Sequence, residues 1–138
     1  MDSPSSLKDP VAILIVDDEE ILQTTIKNCI SRFAGVPQER IYLASSGEEG
    51  LELLSKQDDI GVVCSDHDIF RSMNGGKFLS IVKERYPKDY RMLLTGNPDR
   101  YDEFVNSELC HGCYKKPFDI KLFVEGIKKG IEWHLSQG

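Results

Sequence analysis

Short apolar runs alternate along the chain with longer stretches in which apolar residues recur every three or four positions, and these two periods predict strands and helices in alternation. Strands are expected at about Val11–Val16, Arg40–Ala44, Ile60–Ser65, Tyr90–Leu94 and Gly112–Lys115, the first and fourth being the clearest. Leu22, Ile26, Cys29, Ile30 and Phe33 form one helical stripe, Phe78, Leu79 and Val82 a second, and Phe123, Val124, Ile127 and Ile131 a third. Cys29 and Cys64 read as small core residues, and Trp133 and Leu135 as closing the last helix onto the core. Start signals agree with the alternation. Ser46 followed by Glu49 makes a capping box ahead of Leu51 and Leu54, Asn97 precedes a proline at a first helical position, and Asp119 can cap the last helix. Five βα repeats follow, with no linker, low-complexity run or internal repeat between them, so the expected class is α/β with helices around a parallel sheet.

The bulk properties narrow the function. A chain of 138 residues is one domain by length, and its net charge of −6 offers no basic footprint, which argues against direct binding of nucleic acid. The first ten residues, MDSPSSLKDP, lack a signal-peptide architecture, and the run Val11–Val16 is far too short to cross a bilayer. The expectation is a cytoplasmic protein without a membrane partner, with a disordered leader at 1–10, one domain at 11–135 and a tail at 136–138. Cys29, Cys64, Cys110 and Cys113 are expected as reduced thiols. The segment CHGC at 110–113 could serve as a redox pair or as half of a zinc site, but no second CxxC or paired histidine motif follows it.

Parallel α/β sheets gather their chemistry beyond the carboxyl ends of the strands. Here the first strand ends in VDDEE, the third in SDHD, the fourth in LLTGN and the fifth in YKKPFD. Asp17, Asp18, Asp66, Asp68, Thr95 and Lys116 should therefore meet on one rim, although they are far apart in the chain. Converging carboxylates repel one another, and a hard divalent cation with oxygen ligands removes the conflict. Mg2+ is the natural candidate, with Mn2+ as a substitute. A hydroxyl and an ammonium beside such a site suit phosphoryl transfer, with one carboxylate as the nucleophile that becomes an aspartyl phosphate.

With ILIVDDEE, the strand-end Asp66, MLLTG and KKPF in this order, the chain resembles the receiver domain of bacterial two-component response regulators over about Val11 to Leu135. The resemblance implies a flavodoxin-like (βα)5 fold, doubly wound, with five parallel strands in the order 2-1-3-4-5. It implies that Asp66 is the phosphoacceptor, supplied by a histidine kinase or phosphotransfer protein. Asp18 would be a direct Mg2+ ligand and Asp17 a water-bridged one, with Asp66 and the backbone carbonyl of Asp68 completing the set. Thr95 would be the switch hydroxyl and Lys116 the phosphate-pairing lysine, with Lys115 on the other side of its strand and Pro117 after a peptide bond often held cis. Asn97 and Gly96 would modulate phosphate access and lifetime together with Asp68. Phosphorylation would switch a protein-interaction surface around the last two helices, read by a downstream protein or a separate effector domain, with a homodimer through those helices as a further arrangement. No enzymatic turnover beyond self-directed phosphotransfer and slow autodephosphorylation is implied.

The chain departs from the family pattern in several places. Asp66 to Gly75 spans one residue more than usual, and Phe70 stands where a proline is expected. The position of the aromatic switch holds Cys113, with Tyr114 one step later on the opposite strand face, which leaves the usual coupling of hydroxyl and aromatic rotation open. His67 is expected to face solvent. Two alternatives remain: a degenerate receiver that acts as a binding module without phosphorylation, and a haloacid-dehalogenase-type phosphatase. The second places its extra acidic pair after the lysine, whereas VDDEE here precedes every other motif.

Overall fold

The computed structural model describes residues 11–69 and 73–137; the expected leader, Phe70 and Gly138 lie outside the described residues. Five strands, β1 (Ala12–Val16), β2 (Ile41–Ala44), β3 (Ile60–Asp66), β4 (Tyr90–Thr95) and β5 (Gly112–Lys115), form one sheet in the order β2-β1-β3-β4-β5. Every neighbouring pair is parallel. Five α-helices connect or follow them: α1 (Glu20–Ala34), α2 (Gly47–Lys56), α3 (Gly75–Arg85), α4 (Pro98–Phe104) and α5 (Ile120–Ser136). This is the flavodoxin-like fold that the resemblance implied.

The strands are apolar on both faces because both are covered. Ile13 and Ile15 of β1, Val62 and Cys64 of β3, and Met92 and Leu94 of β4 pack with Ile26 and Ile30 of α1 and Phe123 and Ile127 of α5. The alternate residues Leu14, Val16, Val63 and Leu93 face Leu54 of α2, Phe78, Leu79 and Val82 of α3, and Tyr101 and Phe104 of α4. A period of two within each strand thus feeds two separate hydrophobic layers.

The capping signals act at the expected places. Ser46 Oγ accepts the Glu49 N–H at 3.1 Å, Asn97 Oδ1 accepts the Asp99 N–H at 2.8 Å, and Asp119 Oδ1 accepts the Leu122 N–H at 3.2 Å. In the capping box the Glu49 carboxylate reaches the Ser45 N–H rather than that of Ser46. A further cap, Asn74 at the start of α3, accepts the Lys77 N–H at 2.9 Å. At the end of α1, Gly35 closes the helix with φ of 74°, a left-handed conformation that glycine adopts without a Cβ penalty.

Four side chains depart from the expected burial. Cys29, read as a small core residue, is only partly buried. Phe33 is 52 % exposed, because α1 turns its Ile26 and Ile30 stripe to the sheet and Phe33 lies past the edge of that contact. Leu135 is 48 % exposed, and α5 is closed instead by Trp133, whose ring packs against His111 and Tyr90. The helix runs on to Ser136. His67 is buried, contrary to the expectation of a solvent-facing neighbour. Its N–H donates to the Leu94 carbonyl at 2.8 Å, its carbonyl accepts the Gly75 N–H at 3.0 Å, and its ring lies 5.5 Å from that of Phe104. Backbone bonds on both sides leave this residue no path outward.

Candidate functional site

The order of the strands places the ends of β1 and β3 side by side, with Val16 in register with Ser65. Asp17 follows β1 directly and Asp66 is the last residue of β3, so both carboxylates emerge from apolar strands at the same rim. Asp17, Asp18 and Asp66 each bring a carboxylate oxygen within 4.8 Å of the others. Lys116, one residue beyond β5, reaches back over the rim: its Nζ lies 3.1 Å from Asp66 Oδ1 and 3.5 Å from Asp17 Oδ2. Lys115, on the other side of the strand, instead sets its ammonium 4.7 Å from the centre of the Tyr101 ring. The Lys116–Pro117 peptide bond is cis.

The charges at this rim do not balance. Three carboxylates face one ammonium. Burial pushes the Asp17 and Asp66 carboxyls above their ordinary range even though Lys116 attracts both. Burial works against the Lys116 ammonium, but attraction to Asp66 and Asp17 outweighs it and holds the lysine above its ordinary value. A set of hard oxygen donors with surplus negative charge fits a small divalent cation. Asp68 keeps its carboxylate out of the cluster, half-exposed and 3.3 Å from His67 Nδ1, while its N–H donates to Asp66 Oδ1 at 3.3 Å.

Thr95 is fully buried at the end of β4, where its Oγ1 accepts the Asn97 N–H at 3.1 Å. Asn97 is thus committed twice, its N–H to this hydroxyl and its side chain to the first turn of α4. Gly96 has open space around it: a Cβ there would meet nothing nearer than Lys116 Cβ at 4.0 Å. Cys113 packs in the layer of α4 and Tyr114 in that of α5, edge-on to Phe123 with ring centres 5.8 Å apart. Position 113, where the resemblance implied an aromatic residue, therefore holds a small thiol, and the Tyr114 ring lies on the other face of the sheet.

Two residues support the site through contacts that the sequence reading did not state. Gln23, a polar residue inside a helix, is buried and donates to the backbone carbonyl of Asp17, to that of Ala44 at 3.0 Å and to Ser45 Oγ at 3.3 Å. It ties the loop that carries Asp17 and Asp18 to β2. Gly75 passes so close to the end of β3 that a Cβ would overlap the Asp66 carbonyl and the His67 Cα, at 2.7 Å from the latter. Only the paired glycines ahead of an apolar helix signalled the second; nothing in the sequence signalled the first.

The family described as the response regulator receiver domain matches residues 13–128. The chain belongs to this family. The receiver is similar to the hydrogenase transcriptional regulatory protein HoxA of Cupriavidus necator, at 25 % identity over 91 % of this chain, and it spans 25 % of the length of that relative. It superposes with a TM-score of 0.78 on the signal receiver domain of an HD domain-containing protein from Pseudomonas fluorescens Pf-5, at 23 % identity, covering 91 % of this chain and 98 % of the other. A CheY-like receiver domain protein from Methanospirillum hungatei gives a TM-score of 0.78 at 21 % identity, covering 93 % of the receiver and 98 % of that chain. The two solved structures share its fold, and no described helix of the receiver is long and apolar enough to cross a membrane.

Proposed function

We propose that the receiver takes a phosphoryl group onto Asp66 from a histidine kinase or phosphotransfer protein, in the cytoplasm, and presents the change to a protein partner. The observation that supports this most directly is the position of Lys116, whose single ammonium lies between Asp66 and Asp17 in a cluster with surplus negative charge. Asp17, Asp18, Asp66 and the Asp68 carbonyl would hold Mg2+, or Mn2+ in its place. The bound cation supplies the positive charge that the carboxylates and the phosphoryl oxygens share.

In the transfer, a carboxylate oxygen of Asp66 attacks phosphorus, the P–N bond to the donor histidine breaks, and the imidazole leaves with its electron pair and takes up a proton. The single charge of the Asp66 carboxylate is thereby replaced by the charges that the phosphoryl oxygens bring with them. Lys116, already 3.1 Å from the nucleophilic carboxylate, pairs with one of them. The Thr95 hydroxyl, which accepts the Asn97 N–H, donates its own proton to another and so couples the phosphoryl group to the turn from which α4 starts. The chemistry is confined to the chain's own phosphorylation and slow hydrolysis, with no turnover of a separate substrate. HoxA is a transcriptional regulatory protein, and in a protein of that kind the partner would be an effector domain.

Intact mass after incubation with Mg2+ and a small phosphodonor such as acetyl phosphate tests the reading. One phosphoryl adduct is expected, absent from Asp66→Asn. An unchanged mass at saturating donor would favour the binding-module alternative, and steady hydrolysis of a phosphomonoester would favour the phosphatase.

A further inference from the structure

One buried polar side chain beside the rim takes no part in the chemistry proposed above. The inward face of α1 carries Gln23, Ile26 and Ile30, all buried, so Gln23 stands at the first position of an otherwise apolar stripe. A carboxamide shut away from water is costly unless its hydrogens are used. Here Nε2 donates to the carbonyls of Asp17 and Ala44, the second at 3.0 Å, and reaches Ser45 Oγ at 3.3 Å. The tips of β1 and β2 are therefore clamped by a residue that belongs to neither strand.

The clamp completes the restraint of Asp17. Its N–H donates to the Ala44 carbonyl at 3.0 Å, its carbonyl accepts from Gln23, and its Oδ1 accepts the Glu19 N–H at 2.9 Å. Among the described residues, its Oδ2 meets only the Lys116 ammonium, at 3.5 Å. One carboxylate oxygen is thus left for a ligand, and the chain fixes where it points. We propose that Gln23 is a positioning residue that decides which divalent cation the rim accepts, favouring Mg2+ and Mn2+ over Ca2+ by holding Asp17 in one place. Mg2+ and Mn2+ want oxygen donors in a narrow octahedral arrangement, whereas Ca2+ takes more donors at varied distances. Loss of the amide leaves every charge at the rim in place and frees only the backbone that aims Asp17, so the octahedral ions should lose affinity and Ca2+ should not. The inference rests on the cation reading of the rim and needs no phosphoryl transfer.

Titration of the whole unphosphorylated chain with Mn2+, followed by the electron paramagnetic resonance signal of the free ion and repeated with Ca2+ as competitor, tests this role. Gln23→Met keeps the length of the side chain, suits the apolar stripe and removes the donors. It should weaken Mn2+ binding about tenfold and Ca2+ binding by less than about twofold, so that the preference collapses. Gln23→His, which returns an N–H at similar reach, should recover most of the preference. Ile30→Val, two turns further along the same stripe, should lower the melting temperature and leave both affinities unchanged. Wild-type affinities in Gln23→Met, an equal loss for both ions, a deficit that Gln23→His does not lessen, or a lost preference in Ile30→Val would overturn the role of Gln23 while the cation site stands. A wild-type chain without saturable Mn2+ binding would overturn the cation site and the positioning role with it.

Discussion

Both ends of the sheet bury charge, and they do it in opposite ways. At the amino end, Arg91 is 5 % exposed at the start of β4, and its guanidinium donates to the carbonyls of Leu109 at 2.7 Å, Glu108 at 3.3 Å and Asp89 at 3.5 Å. Its N–H donates to His111 Nδ1 at 2.9 Å, and His111 stacks on Tyr90 with ring centres 4.6 Å apart. Asp89 lies 3.7 Å from His134 Nδ1. Nearly every polar atom there already has a partner in the chain. At the carboxyl end, Asp17, Asp18 and Asp66 converge on one Lys116, and surplus negative charge faces outward. Buried polarity that the backbone saturates holds a fold together. Buried polarity left unbalanced is available for a ligand.

The largest effect should come from breaking the saturated end. Arg91→Met strips donors from three carbonyls and should lower unfolding free energy by about 4 kcal/mol, while the protein that remains folded still accepts a phosphoryl group; denaturant titration and intact mass read the two separately. A loss of phosphorylation per folded molecule would mean that the two ends are not independent. Gly75→Ala acts at the other end by steric overlap alone. It should cost about 2–3 kcal/mol and displace Asp66, so that stability and phosphorylation fall together.

Titration separates the two members of the amino-end cluster. Burial raises Asp89 to about 6, with His134 and Arg91 opposing it, so the folded protein binds a proton that the unfolded chain has released. Relative to Asp89→Asn, the wild type should lose about 2 kcal/mol of stability as pH rises from about 4 to about 6. His111 runs the other way. Burial of its ring, with Arg91 and Lys83 adding repulsion, pushes it down to about 4, so relative to His111→Gln the wild type should lose stability as pH falls from its ordinary 6.5. His111 has an exposed edge, so its effect should be the smaller of the two. Equal slopes in both variants would show that neither group titrates as its surroundings require.

The smallest effect distinguishes a functional rim from a structural one most sharply. Asp66→Asn removes a charge that burial disfavours and should stabilise the metal-free receiver by about 1 kcal/mol, with the gain growing as pH rises past the carboxylate range, since a raised carboxyl destabilises the fold once ionised. Thermal denaturation in a chelating buffer measures it. A destabilised variant would mean that the ion pair with Lys116 outweighs the burial of the charge.

Much of this was legible in the sequence because it depends on period and local chemistry. Five apolar runs separated by helical stripes determined five βα repeats, and Ser46, Asn97 and Asp119 marked helix starts through bonds that span only two or three residues. The sequence also placed Asp17, Asp66, Thr95 and Lys116 at strand ends, and parallel strands with covered faces carry those ends to one rim. Side chains whose surroundings come from distant segments were not legible. Phe33 and Leu135 have the right spacing for a core but sit beyond the reach of the sheet, and His67 has a polar neighbourhood in sequence but is closed in by Leu94, Gly75 and Phe104. Gln23 became a strut for the acidic loop only because β2 lies beside β1 and offers the Ala44 carbonyl. The bond from the Cys110 thiol to the Phe104 carbonyl likewise depends on how α4 ends above β5. Hydrophobic period is a property of neighbours along the chain, so sequence alone determined the elements and the ends at which their reactive groups stand. Which groups touch, and which charges remain unbalanced, follows from the packing of segments far apart in the chain, and only the tertiary structure decided it.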